Sequence, residues 1–316
     1  MSVYLLRRFG GFVVTLIVAA AIIFFLLDLL PGDPARFILG INASPDAVAA
    51  LRQQMGLDAP AGQRFLGWIW GMLQGDFGVS HTQRAPVARL IAERLAVTLP
   101  LSVFAMIISV AVGLPIGIIA ARRRGKFTDT ALMVMAQTGV AVPNFWFGML
   151  LTLLFAVTLH WLPTGGFTPW DEDVWKALRG LILPSLALAL PQASILARVM
   201  RTALVDVAGQ DFIRTARAKG MTMGEALWRH GVRNALLPVL TILGLQFGYL
   251  VAGTIVVENV FFLPGLGRLI FTAISERDLV LVRSATIVLV VMVSITMLLV
   301  DLAYTLVDPR LRRAGS

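Results

Sequence analysis

The chain has 316 residues; 58% are hydrophobic, only 14% are charged, and the mean hydropathy is +0.82. Soluble domains carry about a quarter charged residues, so a soluble globular protein is excluded, while several apolar runs reach the roughly 20 residues that cross a bilayer as helix. The absence of cysteine removes disulfides, thiolate metal sites and cysteine nucleophiles, and the net charge of +9 is read by position, because location outweighs total in a membrane protein.

Arg7 and Arg8 precede an apolar run over 9–30. That run is too long for a signal-peptide h-region, and no small-residue cleavage site follows it. It reads as an uncleaved first span, so that 1–30 form a cytoplasmic tip and helix. Residues 31–97 are polar enough for an extracytoplasmic cap. Within them DAVAALRQQMGLDAP reads as a helix stopped at Gly56. The stretch FLGWIWGML at 65–73 is too short to span, and its Trp68 and Trp70 belong either to the membrane interface or to packing.

Five further spans are predicted at 98–121, 131–159, 181–200, 236–257 and 284–307, giving a core over 98–307 and a tail over 308–316. A closed β-barrel would need alternating strands of about ten residues, which are absent. The expected fold is therefore an all-α integral membrane protein of six transmembrane helices, with both termini on one side. Pro115, Pro143, Pro184 and Pro238 fall in or at the edge of spans, where neighbouring helices can satisfy the freed carbonyls.

Charge orients this arrangement. One side collects Arg7, Arg8, Arg122, Arg123, Arg124, Lys126, Arg198, Arg201, Arg214, Arg217, Lys219, Arg229, Arg233, Arg310, Arg312 and Arg313. Against them stand Asp129, Asp206, Asp211, Glu225 and Asp308. By the positive-inside rule this side is cytoplasmic. The basic excess thus reads as topology rather than as a nucleic-acid footprint.

On that side lies DFIRTARAKGMTMGEALWRHGVRNALLPVL, a basic hairpin over 211–233 running into the fifth span. Phe212, Ile213, Ala216 and Gly220 can share one side of a short helix, with Arg214 and Arg217 on another. Gly220 suits the left-handed position that ends a helix. Thr222 and Glu225 form a capping-box pattern for the next one, and Glu225 can pair with Arg229 at i, i+4. Three readings compete: a basic loop at anionic headgroups, a DNA-reading helix-turn-helix, or a docking element for a cytoplasmic partner. The tethers on both sides disfavour DNA. Small Ala216, Ala218 and Gly220 allow another backbone to approach closely, which favours docking.

Catalytic patterns are missing. No G-x-x-x-x-G-K-[ST] occurs, and RRGKF at 123–127 lacks its glycine spacing and hydroxyl. His81, His160 and His230 lie on separate segments, suggesting neither a metal site nor a triad. Asp301 is the clear in-span acid and reads as a structural partner of nearby arginines rather than a proton relay. Gln137, Asn144, Gln192, Thr241 and Gln246 sit in spans as inter-helix glue or as lining for a solute path.

TARAKG followed by RHGVRNALLPV and GLQFG resembles the cytoplasmic signature and fifth span of ABC-importer permeases of the dipeptide, oligopeptide, nickel and glutathione class. LLPGDPARF, GLDAP, GDFGVS, VENVFFLPGLGRLI and LVDPRLRR are similar to its other blocks, in the order of the B-type permease with a long first external loop. The resemblance implies a type I importer permease fold in the bacterial inner membrane. It implies a heterodimer with a second permease, two cytoplasmic ATPases and an extracytoplasmic solute-binding protein. ATP and Mg would be used by those ATPases, with no cofactor on this chain, which would not itself be an enzyme.

The resemblance also assigns the hairpin to ATPase coupling, through Phe212, Ile213, Arg214, Thr215, Ala216, Arg217, Ala218, Lys219, Gly220 and Glu225. It places Gln137, Asn144 and Gln246 in spans around a central cavity. The broader permease motif begins Glu-Ala-Ala, whereas Arg214, Thr215 and Ala216 stand here, so no specific Glu contact is implied. The expected cargo is peptide-like: a di- or oligopeptide, glutathione, or nickel. A self-sufficient secondary carrier or channel is the rival, and it would need coupling-ion or selectivity residues in mid-membrane, which are scarce.

Overall fold

The computed structural model describes residues 2–29, 33–40 and 42–307. Leu30, the tail over 308–316 with Asp308, Arg310, Arg312 and Arg313, and the side chain of Asp301 lie outside the described residues. Every regular element among those described is a helix. In chain order they are α1 (Ser2–Asp28), α2 (Pro34–Leu39), α3 (Pro45–Gln54), α4 (Ala61–Leu73), α5 (Val87–Arg122), α6 (Phe127–Ala141) and α7 (Asn144–Leu151). Then come α8 (Val174–Ala208), α9 (Asp211–Ala218), α10 (Met223–Ala226), α11 (Val232–Val260), α12 (Leu266–Ser275) and α13 (Leu279–Val307). Five helices are long and apolar enough to cross a membrane, and the pair α6–α7 makes a sixth span if it is one broken crossing.

Internal packing divides the described residues into two compact units, Leu99–Leu263 with 2–4 and 296–307, and Leu5–Thr98 with Pro264–Ile295. In the first, α8 is the most enclosed span and packs against α6, α7 and α11. Its contact with α5 is a seam of small residues. Ala105, Ser109, Gly113, Gly117 and Ala121 recur every four residues on α5, matched on α8 by Ser185, Ala189, Ala193 and Ala197, and all are buried. A Cβ added at Gly113 would sit 2.6 Å from the Ala193 carbonyl oxygen, and one at Gly117 2.5 Å from that of Ala197. Ser109 Oγ donates across the seam to the Ala189 carbonyl at 3.2 Å. This is the small-residue packing that lets helix backbones meet where lipid offers no hydrophobic drive.

The sixth span departs from the sequence expectation. Instead of one helix over 131–159, α6 and α7 meet at an angle of 100°. Pro143 is the cause: its ring forces Val142 out of the helical region, and Val142 sits at φ −78°, ψ 122°. Beyond α7 the chain widens into a π-helical segment, Thr152–Thr158. At the end of α11, Gly166 N donates to the Phe261 carbonyl at 2.8 Å, and Gly165 lies so close to that carbonyl that no Cβ fits.

The second unit gathers α1, α12, the first half of α13, the start of α5 and the helices α2–α4 predicted as the cap. The predicted 31–97 segment therefore does not pack by itself. The helix of the second span begins at Val87, earlier than expected, because Val87, Leu90 and Ile91 form an i, i+3, i+4 stripe that buries against Leu266, Leu269, Ile270 and Ala273 of α12. Thr98 Oγ1 accepts from the Leu266 N–H at the start of α12, at 2.8 Å. The Gly56 stop after α3 is present, at φ +66°. Trp68 packs against Phe24 and Phe65, whereas Trp70 is exposed.

Asp278 fastens two distant stretches of this unit. Its Oδ2 accepts from Ser80 Oγ at 2.6 Å and from Thr82 Oγ1 and N at 3.0 and 3.2 Å, and its Oδ1 accepts from Leu281 N at 3.1 Å. Burial pushes the carboxyl up, but the donors outweigh it and hold Asp278 below its ordinary value.

Two outcomes follow from these contacts. Replacing Gly117 by Leu should cost about 3 kcal/mol through overpacking of a seam whose neighbours are backbone. A lowered thermal unfolding midpoint in detergent checks this, and the same change at exposed Val112 should be silent. For Asp278, a depressed folded pKa means stability that is present above the unfolded carboxylate range and lost as pH falls through the folded value. Asp278→Ala should cost about 3 kcal/mol at neutral pH by orphaning its donors, while Asp278→Asn should flatten the loss of stability on acidification. Unfolding midpoints measured across the acid range check both.

Candidate functional site

The basic hairpin leaves α8 at Gly209 and rejoins the membrane core at Val232. Two local devices fix its corner. Gly220 is in the left-handed region at φ +91°; its N–H donates to the Arg217 carbonyl at 2.9 Å and that of Met221 to the Ala216 carbonyl at 3.3 Å. These are the two bonds of a Schellman stop. The next helix opens on a complete capping box: Glu225 N donates to Thr222 Oγ1 at 3.3 Å, and Thr222 N donates to Glu225 Oε2 at 2.9 Å. The expected ion pair from Glu225 to Arg229 does not form among the described residues. A π-helical turn over Leu227–Gly231 follows α10 at once, so the spacing of a regular helix is lost between the two.

The hairpin's inner side belongs to its own chain. Ile213 and Ala216 are buried with Ala226, Leu227 and Ala235 against Leu196, Met200 and Leu204 of α8 and Ala121 of α5. The single face expected for Phe212, Ile213, Ala216 and Gly220 is thus divided. Ile213 and Ala216, three apart, point inward; Phe212 and Gly220 do not. The close approach expected at Ala216 is made by this chain rather than left open for a partner. Arg122 of α5 covers Gly224, where an added Cβ would meet its Nη2 at 2.8 Å.

The outer side presents Phe212, Arg214, Thr215, Arg217, Ala218, Lys219, Gly220 and Glu225. Among the described residues Arg214 pairs with exposed Asp211, at 3.3 Å, a surface pair of little energetic weight. Two further exposed apolar side chains, Met223 and Trp228, stand on the same hairpin. Sequence reading missed them, although a tryptophan among Arg229, His230 and Arg233 was a visible signal.

Behind the hairpin a bidentate ion pair ties α6 to α8: Arg201 Nε and Nη2 donate to the two Asp129 oxygens, each at 2.7 Å. Asp129 is buried and also accepts from Gly125 N at 3.0 Å. The partners are 72 positions apart in sequence, which left no signal beyond their charges.

The in-span amides have separate surroundings. Gln137 is exposed and accepts from Arg198 Nη1 at 3.0 Å. Asn144 is half-buried just past the bend, its Nδ2 3.3 Å from where a Cβ on Gly253 would stand. Gln246 is buried, and its Nε2 donates to the Gln192 carbonyl at 3.1 Å, joining α11 to α8. That is the inter-helix role left open for it by the sequence. The side-chain oxygens of Gln192 and Gln246 are both buried without a partner.

Comparison with known proteins accords with this architecture. The family described as binding-protein-dependent transport system inner membrane component matches residues 113–313, and its N-terminal companion matches residues 1–102. A putative peptide transport system permease protein of Brucella abortus (strain 2308) is 42% identical over 312 residues, 99% of each chain. The glutathione transport system permease protein GsiC of Salmonella choleraesuis (strain SC-B67) is 43% identical over 309 residues, 98% of each. A probable peptide ABC transporter permease of Sinorhizobium fredii is 39% identical over 99% of this chain and 100% of its own. Among solved structures, an inward-facing MetNI methionine ABC transporter shares the fold, with a TM-score of 0.58 at 16% identity over 69% of this chain and 96% of that one.

Family membership sets aside a self-sufficient carrier or channel: the family's members are the membrane components of binding-protein-dependent transport systems, permease subunits rather than enzymes themselves. The chain belongs to the binding-protein-dependent transport system inner membrane component family and is a multi-pass permease subunit of an ABC importer in the bacterial inner membrane.

Proposed function

We propose that this permease carries a peptide-like solute inward, delivered by an extracytoplasmic binding protein to the side on which 31–97 lie. The relatives named for peptide and glutathione transport support that solute class. The permease pairs with a second, related permease, and the ATP and Mg chemistry belongs to two cytoplasmic ATPases; this chain holds no cofactor. Both termini and the 211–233 hairpin are cytoplasmic, as the distribution of Lys and Arg supports. Gln137 and Asn144 fit a solute path better than Gln246, whose amide is engaged between helices.

The observation that carries the coupling role is the two-sidedness of the hairpin. Its inner side is packed into α8 and α11, so a push on the outer side moves those helices instead of bending a loop. Its outer side offers Phe212, Met223 and Trp228 among basic residues, a chemistry suited to an ATPase cleft. ATP-driven closure of the ATPases then acts on the membrane helices as a lever, switching the permease between inward- and outward-open states.

Because the chain lacks cysteine, topology can be tested with single additions. Cysteines at exposed Asn42 and Gln83 should react with an impermeant thiol reagent in intact cells, and one at Thr222 should not. The reverse pattern would invert the membrane orientation.

The docking test uses positions that face away from this chain's own core. Ala218→Trp overpacks a fitted contact by about 1–3 kcal/mol, or roughly one to two orders of magnitude in affinity. Gly220→Val adds strain at a left-handed corner. Both variants should insert and pair with the second permease yet retain less ATPase on purification, and binding-protein-stimulated ATP hydrolysis should fall. Normal ATPase retention and turnover in both would defeat the coupling role. Headgroup anchoring would instead make Arg214→Ala with Arg217→Ala the more damaging change.

A further inference from the structure

A cavity of about 310 Å³ in the second compact unit has no part in the coupling described above. Arg283, near the start of α13, lines it, and its guanidinium carbon lies 4.8 Å from the Phe24 ring centroid and 4.9 Å from that of Trp68. The Arg283 Nε is buried with no hydrogen-bond partner, and among the described residues Arg283 makes no ion pair within 4.0 Å.

Neighbouring acids do not supply the missing charge. Asp28 gives both carboxylate oxygens to Arg64, at 2.7 and 2.8 Å. Asp278 has both oxygens engaged by Ser80, Thr82 and Leu281. Glu276 is exposed on the lining. A largely desolvated cation without a counter-ion is costly, and the ring faces offset part of that cost. The rest of the wall is mixed: Leu27, Ile38, Met55, Leu57 and Val280 form an apolar part, and Arg64, His81, Thr82, Arg84 and Arg277 a polar, mostly basic one.

An anion entering here would therefore meet a guanidinium held between two rings, an apolar patch beside it and further basic side chains on the wall. The planar fork of an arginine matches a carboxylate through two parallel hydrogen bonds, and the volume lies at the lower end of the range for small-ligand sites, about 300–1,000 Å³. We propose that this cavity binds a carboxylate carried on a short apolar body, with Arg283 as its anchor. The carboxylate comes from the solute's own chain end or from an acidic side chain of the docked binding protein. That choice of source rests on the outward placement proposed above, whereas the binding itself does not.

The test is calorimetric titration of the assembled transporter in phosphatidylcholine nanodiscs with N-acetyl-leucine and with its amide, in the absence of binding protein. The acid should bind saturably and at least tenfold more tightly than the amide, a comparison made on the unaltered protein. Arg283→Met keeps a long apolar side chain between Phe24 and Trp68, and should weaken the acid at least tenfold while leaving the amide unchanged. Competition by leucyl-leucine would identify the solute as the source; Arg283-dependent binding that the dipeptide does not displace would identify a protein side chain. Equal binding of acid and amide, no binding of either, or undiminished acid affinity in Arg283→Met would overturn the proposal. So would displacement of the acid by inorganic phosphate or by phosphatidylglycerol in the disc at lower concentration than by the dipeptide, which would assign the cavity to a phosphate group. ATPase retention is not involved, so this result and that of the hairpin test fail independently.

Discussion

The membrane core rests on the meeting of α5 and α8 through small side chains. Inside a bilayer, helices gain nothing from hiding apolar surface from water, and association depends on close packing and inter-helix hydrogen bonds. The four-residue repeat of Ala, Ser and Gly on both helices removes the side-chain bulk that would hold the backbones apart. With α5 drawn against it, α8 becomes the enclosed span against which α6, α7 and α11 also pack. The polar links, Ser109 to Ala189, Gln246 to Gln192 and Asp129 to Arg201, all have a partner on α8. A helix fixed on so many sides is a stiff element, and α8 leads directly into the hairpin.

That stiffness gives the hairpin its mechanical meaning. A solvated loop between two spans would absorb a displacement, whereas here a Schellman stop and a capping box fix the corner, and Ile213, Ala216, Ala226 and Leu227 fix the inner side. The π-helical turn between α10 and α11 adds one residue to the turn and so sets which side chains face outward, including Trp228. Under the proposed coupling role, force applied at the outer side passes into the two helices that carry the buried glutamine pair.

The second unit is held by different means. Here Phe24 of α1 meets Phe65 and Trp68 of α4 in an aromatic cluster, α12 closes over the stripe Val87, Leu90 and Ile91, and Asp278 gathers the Ser80 turn to the start of α13. A buried carboxylate this well supplied with donors is a fixed structural part. Arg283, by contrast, has rings for neighbours and no acid within ion-pair distance among the described residues, and it stands beside a cavity. These two charged groups of one unit thus differ in kind: Asp278 is saturated with donors, and Arg283 faces a cavity.

Much of this was written in local patterns. Long apolar runs specified the spans, because every backbone polar group in lipid has to be satisfied within a helix. Gly56, Gly220 and the Thr222–Glu225 pair specified their stops and starts, because capping depends on residues a few positions apart. The small-residue seam was legible too, as GLPIG at 113–117, though read only with the partner helix in view. Tertiary structure alone decided the rest. Pro143 announced a bend but not its 100° extent; the side of the hairpin kept by the chain itself depended on where α5 and α8 lie; and the pairing of Asp129 with Arg201, the saturation of Asp278 and the isolation of Arg283 each join or separate groups far apart in the chain. A periodic pattern records what a residue does with neighbours one turn away, but a charge finds its partner through space, and that distance is set only once the helices have packed.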